Sequence, residues 1–193
     1  SAGTESVRFD GKTDPQIVTE LLAAGGDPEP GNPDRIAAVL ARYVACLERE
    51  LGTGRPPSEV MPGIPELLDS LEREASVVLG LLTGNVAPGA DLKLRAAGIA
   101  PARFRVGAYG SDSAHRPELP PIAAQRATTH FGRVPAGHEV VIIGDTPADV
   151  TCGASIGARA IAVATGGYSV AELAAHGPWR AYSDLADTAQ VLE

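Results

Sequence analysis

The clearest pattern along the chain is in "NPDRIAAVLARYVACLEREL". There Ile36, Val39, Leu40, Tyr43, Val44, Leu47 and Leu51 recur at spacings of three and four, and Gly52 follows. That period lays one apolar stripe along a helix. Upstream, "TDPQIVTELLAAGG" predicts a shorter helix: Asp14 is placed to cap it, Pro15 opens it, Ile17, Val18, Leu21 and Leu22 form its stripe, and Gly25 stops it. Residues 1–57 therefore predict two helices with no strand between them.

After "GTGRPP" and "MPG" the pattern changes, and from Pro65 onward helical and strand signals alternate. Helices around Glu66–Glu74, Ala87–Ala97, Pro121–Phe131 and Pro147–Ile156 lead in turn to "SVVLGLL", "FRVGAYG", "EVVIIGD" and "RAIAVA" in chain order. A helix near Val170–Ala175 and a weaker strand and helix close the chain. Short apolar runs without alternation, separated by helices, predict parallel strands covered on both faces. The expected organisation is a helical segment, 1–57, and an α/β segment, 58–193.

Composition narrows the picture. Of 193 residues, 44% are hydrophobic but only 4% aromatic, so the core is one of Ala, Val, Leu and Ile, suited to helices packed on a sheet. The net charge of −8 argues against nucleic acid as a partner, because a phosphate backbone repels such a surface. No apolar run approaches the ~20 residues of a membrane span, and no basic-then-apolar leader opens the chain. Cys46 and Cys152, far apart and outside any CxxC, read as reduced, mostly buried thiols of a cytoplasmic protein. The chain opens Ser-Ala-Gly with no initiator Met, and is read as lacking its natural start.

In an open parallel sheet, ligands sit outside the carboxyl ends of the strands. Three expected strand ends carry polar residues. "LLTGN" leaves Thr83, Gly84 and Asn85; "VGAYGSDSAHRPE" leaves a Ser/Asp-rich loop with Arg116; "IIGDTPAD" leaves Asp145 and Asp149. Each alone has a plain structural reading: a helix cap, a solvated arginine, an N-cap before proline. Together they form a chemistry. A hydroxyl with backbone N–H groups cradles a phosphoryl oxygen, a guanidinium neutralises its charge, and two carboxylates suit a hard cation such as Mg²⁺. The combination points to phosphoryl transfer at one sheet edge.

On these residues the sequence resembles the haloacid dehalogenase (HAD) superfamily, in its helical-cap subgroup with phosphoglycolate-phosphatase-like enzymes. "LLTGN" is similar to that family's second motif, which binds the transferring phosphoryl group, and "GDTPADV" to its fourth, whose acids hold Mg²⁺. The order of helix pair, "MPGIPELLDSL" and alternating region is similar to cap, hinge and core. The resemblance implies an α/β fold, a parallel-sheet Rossmann-like HAD core with a small α-helical cap. It also implies a Mg²⁺-dependent phosphatase of a small anionic phosphorylated metabolite, working through an aspartyl-phosphate. In that assignment Thr83, Arg116 and Asp145 are catalytic, Thr83, Gly84, Asn85 and Arg116 bind phosphate, Asp145 and Asp149 bind the metal, and Lys12 in the cap contacts substrate.

Two departures accompany it. The third motif is usually a Lys, but the chain has only Lys12 and Lys93; Lys93 lies in the wrong stretch, and Arg116 takes the expected place with a fixed fork instead of a point charge. The first motif, Asp-x-Asp-Gly-Thr, which supplies the nucleophile, is not found. "VRFDGKT" puts Arg8 in the nucleophile's place and Asp10 in the acid's, with no apolar run before it. The strand bearing the nucleophile is expected upstream of Ser1, between "SVVLGLL" and "EVVIIGD", and without an occupant of that slot the 193 residues are not expected to fold stably alone. The alternative function is a non-catalytic phosphate- and metal-binding module that has lost its nucleophile. A dehalogenase would not need the paired acids, and a phosphonate hydrolase would need a cap lysine as a Schiff base.

Overall fold

The computed structural model describes residues 7–53 and 60–193, and they divide into two compact units. One comprises the chain up to residue 58 with segments 83–101 and 109–116; the other comprises 59–82, 102–108 and 117–193. The first unit thus extends past the helix pair to take in a third helix and a loop.

In the first unit, α1 spans Asp14–Ala24 and α2 spans Pro33–Gly52. The cap of α1 is Thr13, not Asp14: Thr13 Oγ1 accepts the Gln16 N–H at 3.3 Å and donates to the Ala114 carbonyl at 2.6 Å, and the residue is fully buried. Asp14 begins the helix, its carboxylate drawn instead to another loop. Asn32 caps α2 by accepting the Arg35 N–H at 3.1 Å. The helix α4, Ala87–Ala96, packs with α1 against the apolar stripe of α2. Gly89 allows that approach, since a Cβ there would stand 3.7 Å from the Tyr43 ring and 3.8 Å from Leu47. With only two thin partners, no residue of α2 is fully buried; Val39 keeps 37% exposure, and Cys46, expected inside, is exposed.

The second unit opens with α3, Ile64–Glu72, after Gly63, whose φ of +83° makes the turn. A Cβ on Gly63 would lie 1.8 Å from the Leu185 carbonyl oxygen, so the chain's late segment lies directly against this turn. Two short sheets follow. β1 (Gly80–Thr83) pairs with β2 (Val106–Tyr109); β3 (Val141–Gly144), β4 (Arg159–Val163) and β5 (Arg180–Tyr182) form the other, in the order β3-β4-β5 and parallel throughout. The helices between them are α5 (Leu119–Phe131), α6 (Pro147–Cys152) and α7 (Val170–Ala174), with α8 (Thr188–Leu192) last. Leu67 of α3 closes on Ile161, Val163 and Leu185, with Ile64, Leu71, Tyr182 and Val191 around them, to make the core.

β3 does not pair directly with the segment before Thr83. Among the described residues no ladder joins β1 to β3, and each keeps one edge open. Residues 7–9, at the start of the described chain, form no strand that could fill the slot between β1 and β3. Val141 and Ile143 of β3 are correspondingly 44% and 39% exposed. No helix among the described residues is long and apolar enough to cross a membrane.

Candidate functional site

Thr83 ends β1, and the turn after it is built by close backbone approaches. A Cβ on Gly84 would fall 2.2 Å from the Lys12 carbonyl oxygen, and one on Gly110 would fall 2.1 Å from the Gly84 carbonyl oxygen. Hydrogen bonds lock the same strands of chain together. The Asp14 N–H donates to the Gly84 carbonyl at 2.7 Å, and the Gly110 N–H to the Asn85 carbonyl at 2.9 Å. Only residues without side chains fit these two positions.

Within this frame Thr83 Oγ1 accepts two hydrogen bonds, from the Asn85 N–H at 3.1 Å and from Asn85 Nδ2 at 2.8 Å. Lys93 comes back from α4 to donate to Asn85 Oδ1 at 2.5 Å, and its ammonium stands 6.0 Å from the centre of the Tyr43 ring. The spacing rule that sets Lys93 aside misses this. The signal that finds it is its position seven residues, two helical turns, beyond the α4 cap residue Val86, on the same face.

Thr83, Gly84, Asn85, Lys93, Arg116 and Lys12 all line one cavity of about 480 Å³, whose remaining wall is largely apolar, from α1 and α2. The sequence-derived phosphate-binding set is therefore brought together in one unit. Its charged lining is three cations, Lys12, Lys93 and Arg116, against one carboxylate, Asp14, in a chain whose net charge is −8. That contrast favours an anion. Lys12 is ion-paired with Glu20, and its ammonium holds the Glu20 carboxyl below the usual range. The lysine lines the cavity with its charge already partly spent.

Asp145 and Asp149 stand in the other unit, just past β3. Thr146 caps α6, and Asp149 closes the reciprocal box: its Oδ2 accepts the Thr146 N–H at 3.0 Å and the Thr146 hydroxyl at 2.8 Å. Asp149 is 7% exposed and lies over Gly144, where a Cβ would meet its Cγ at 2.3 Å. The Asp145 carboxylate reaches the turn after β4, since a Cβ on Gly166 would fall 2.2 Å from Asp145 Oδ2. Gly166 is a neighbour that motif reading misses; the Gly-Gly pair after "RAIAVA" is its signal.

Among the described residues no group of three or more His, Cys, Asp or Glu side chains gathers into a metal cage. Mg²⁺ does not require one, because it keeps several waters and takes one or two carboxylates. Two acids at the carboxyl end of β3 fit that demand. Asp10, by contrast, lies in an exposed turn following a segment that is not a strand, which does not suit a catalytic acid at a strand end.

Residues 114–188 match the family model described as HAD-hydrolase-like. No curated protein matches at the sequence level. Among solved structures, a hydrolase from Pseudomonas syringae superposes with a TM-score of 0.67 at 22% identity, over 95% of this chain and 78% of that one. A predicted phosphoglycolate phosphatase from Haemophilus somnus 129PT gives 0.65 at 17% identity, covering 92% and 76%. CbbY from Rhodobacter sphaeroides, in complex with phosphate, gives 0.62 at 20%, covering 88% and 74%. Residues 114–188 thus resemble the HAD-hydrolase-like family, and the likeness to these solved structures shows that the chain shares their fold.

Proposed function

We propose that the protein is a Mg²⁺-dependent phosphatase of a small phosphorylated metabolite in the cytoplasm, working through an aspartyl-phosphate. The observation that carries this reading is the cation-lined cavity at Thr83: a hydroxyl, a glycine turn, an arginine and a lysine share one wall in an otherwise acidic protein. The phosphate in the CbbY structure and the family match lend it chemical plausibility.

In this reading the Thr83 hydroxyl donates to a phosphoryl oxygen, with the Gly84–Asn85 turn beside it, and Arg116 neutralises charge on the transferring group. Asp145, with Asp149, would hold Mg²⁺, which supplies charge neutralisation and orientation when bound. The apolar walls of α1 and α2 exclude water and select the body of the substrate. The Asp14 carboxylate accepts the Val86 N–H at 2.8 Å and so braces the turn after Thr83. The resemblance assigns attack to the Asp-x-Asp-Gly-Thr motif, which these 193 residues do not contain.

Two measurements test the proposal separately. Calorimetric titration with inorganic phosphate should show binding that weakens on Thr83→Val or Arg116→Ala; unchanged affinity in both variants rules out the phosphate site. A phosphomonoester screen with Mg²⁺, on a chain carrying the first motif, should show turnover. Binding with no turnover in that chain would favour the non-catalytic module.

A further inference from the structure

Asn85 carries an acceptor at one end of its amide and a donor at the other, and only one orientation suits its two neighbours. A lysine ammonium donates and never accepts, so Lys93, at 2.5 Å, fixes Oδ1 on its own side. Nδ2 then faces Thr83 Oγ1 at 2.8 Å, joined there by the Asn85 backbone N–H at 3.1 Å. A hydroxyl has two acceptor positions and one hydrogen. With both acceptor positions filled, Thr83 keeps only its hydrogen to offer, and no acceptor among the described residues takes it. The reversed amide would set a carbonyl against Thr83, and the hydroxyl hydrogen would turn inward to it.

We propose that Lys93 is a positioning residue: by fixing the Asn85 amide it makes the Thr83 hydroxyl an obligate donor toward an anion in the cavity. Lys93 is itself held in place. Helical side chains lean toward the helix N-terminus, which carries this one back along α4 to Asn85, and the Tyr43 ring lies 6.0 Å from its ammonium. This inference rests on the reading of Thr83 as the phosphoryl contact given above.

The test is a double-mutant cycle in the full chain, read as calorimetric affinity for inorganic phosphate. Lys93→Met should weaken binding about tenfold, the scale of one hydrogen bond to a charged group. Thr83→Val should weaken it comparably, and the double variant should be no weaker than Thr83→Val alone. Lys93→Arg, which keeps a donor, should recover most of the loss. In an Asn85→Leu chain, Lys93→Met should have no effect. This second cycle also serves if the lysine variant is poorly folded in the parent background, where far-UV dichroism reports it. Equal losses from Lys93→Met with and without Thr83 mean that the lysine acts on the anion itself, and the relay is overturned. Wild-type affinity in Lys93→Met with weakened Thr83→Val overturns the relay alone. Wild-type affinity in Thr83→Val removes the phosphate reading and the relay with it.

Discussion

Asp14 and Val86, 72 residues apart, are joined by a 2.8 Å hydrogen bond in which the Val86 N–H donates to the Asp14 carboxylate. The neighbouring Asp14 N–H donates to the Gly84 carbonyl at 2.7 Å. One residue at the head of α1 therefore grips both sides of the turn after Thr83. The carboxylate serves as a strut for the turn that presents the hydroxyl.

Asp14→Ala leaves the Val86 N–H without its acceptor, and stability should fall by about 1–3 kcal/mol. Asp14→Asn keeps an acceptor oxygen and should recover most of it. Urea unfolding of the three proteins checks this; identical midpoints for Ala and wild type would mean that the strut bears no load.

Gly84→Ala and Gly110→Ala should each cost roughly 1–3 kcal/mol or more, because the new Cβ meets backbone at 2.2 and 2.1 Å and backbone cannot step aside. Gly167, with nothing within 4 Å of its would-be Cβ, is the control, expected to lie within about 0.5 kcal/mol of wild type. Phosphate affinity should track stability loss at Gly84 and Gly110 and stay level at Gly167.

Asp145 should act through the metal alone, and Asp149, the second proposed ligand, should also act as a helix cap. Asp145→Asn should leave the apparent unfolding temperature without metal near wild type and abolish the upward shift that Mg²⁺ gives by binding the folded state. Asp149→Ala should lose about 0.5–2 kcal/mol even without metal, since it removes half of the capping box with Thr146. A Mg²⁺ shift that survives in Asp145→Asn would exclude that carboxylate as a ligand.

Glu139 gives a pH signature. Arg133, by a two-pronged contact at 2.6 and 2.7 Å, and then the Ala136 N–H pull its carboxyl from 4.5 down to about 2. A depressed pKa adds stability above the unfolded value, and that contribution fades as pH falls from 4.5 through about 2. Glu139→Gln should therefore show a shallower acid-side decline in unfolding midpoint over that window. The effect should be small and sensitive to salt, because the pair is solvent-exposed. Superimposable curves would show that the contact does not persist in solution.

The elements were legible where a single periodicity governs them: the three-and-four spacing of Ile36 to Leu51 gives α2, and the unbroken "RAIAVA" gives β4. The cap of α1 was not, since Thr13 and Asp14 are both good cap residues and the choice is made by Val86, which sequence distance hides. Thr83, Gly84, Asn85 and Arg116 could be grouped because each follows an apolar run. Lys93 could not, because its partner is reached two turns back along a helix, and the spacing of a family motif gives no credit for that. Val141 and Ile143 read as buried, because an apolar run carries no information on which neighbouring strand is present.

Those two residues lie on β3, and among the described residues neither β3 nor β1 has a partner strand along one of its edges. Unpaired N–H and C=O groups beside exposed Val and Ile side chains are a template on which another chain's strand can grow, the usual first step of sheet aggregation. A net charge of −8 works against that encounter by keeping copies apart, and added salt weakens this repulsion. The colloidal behaviour of these 193 residues should accordingly depend on ionic strength, with high salt and high concentration the conditions under which they come out of solution.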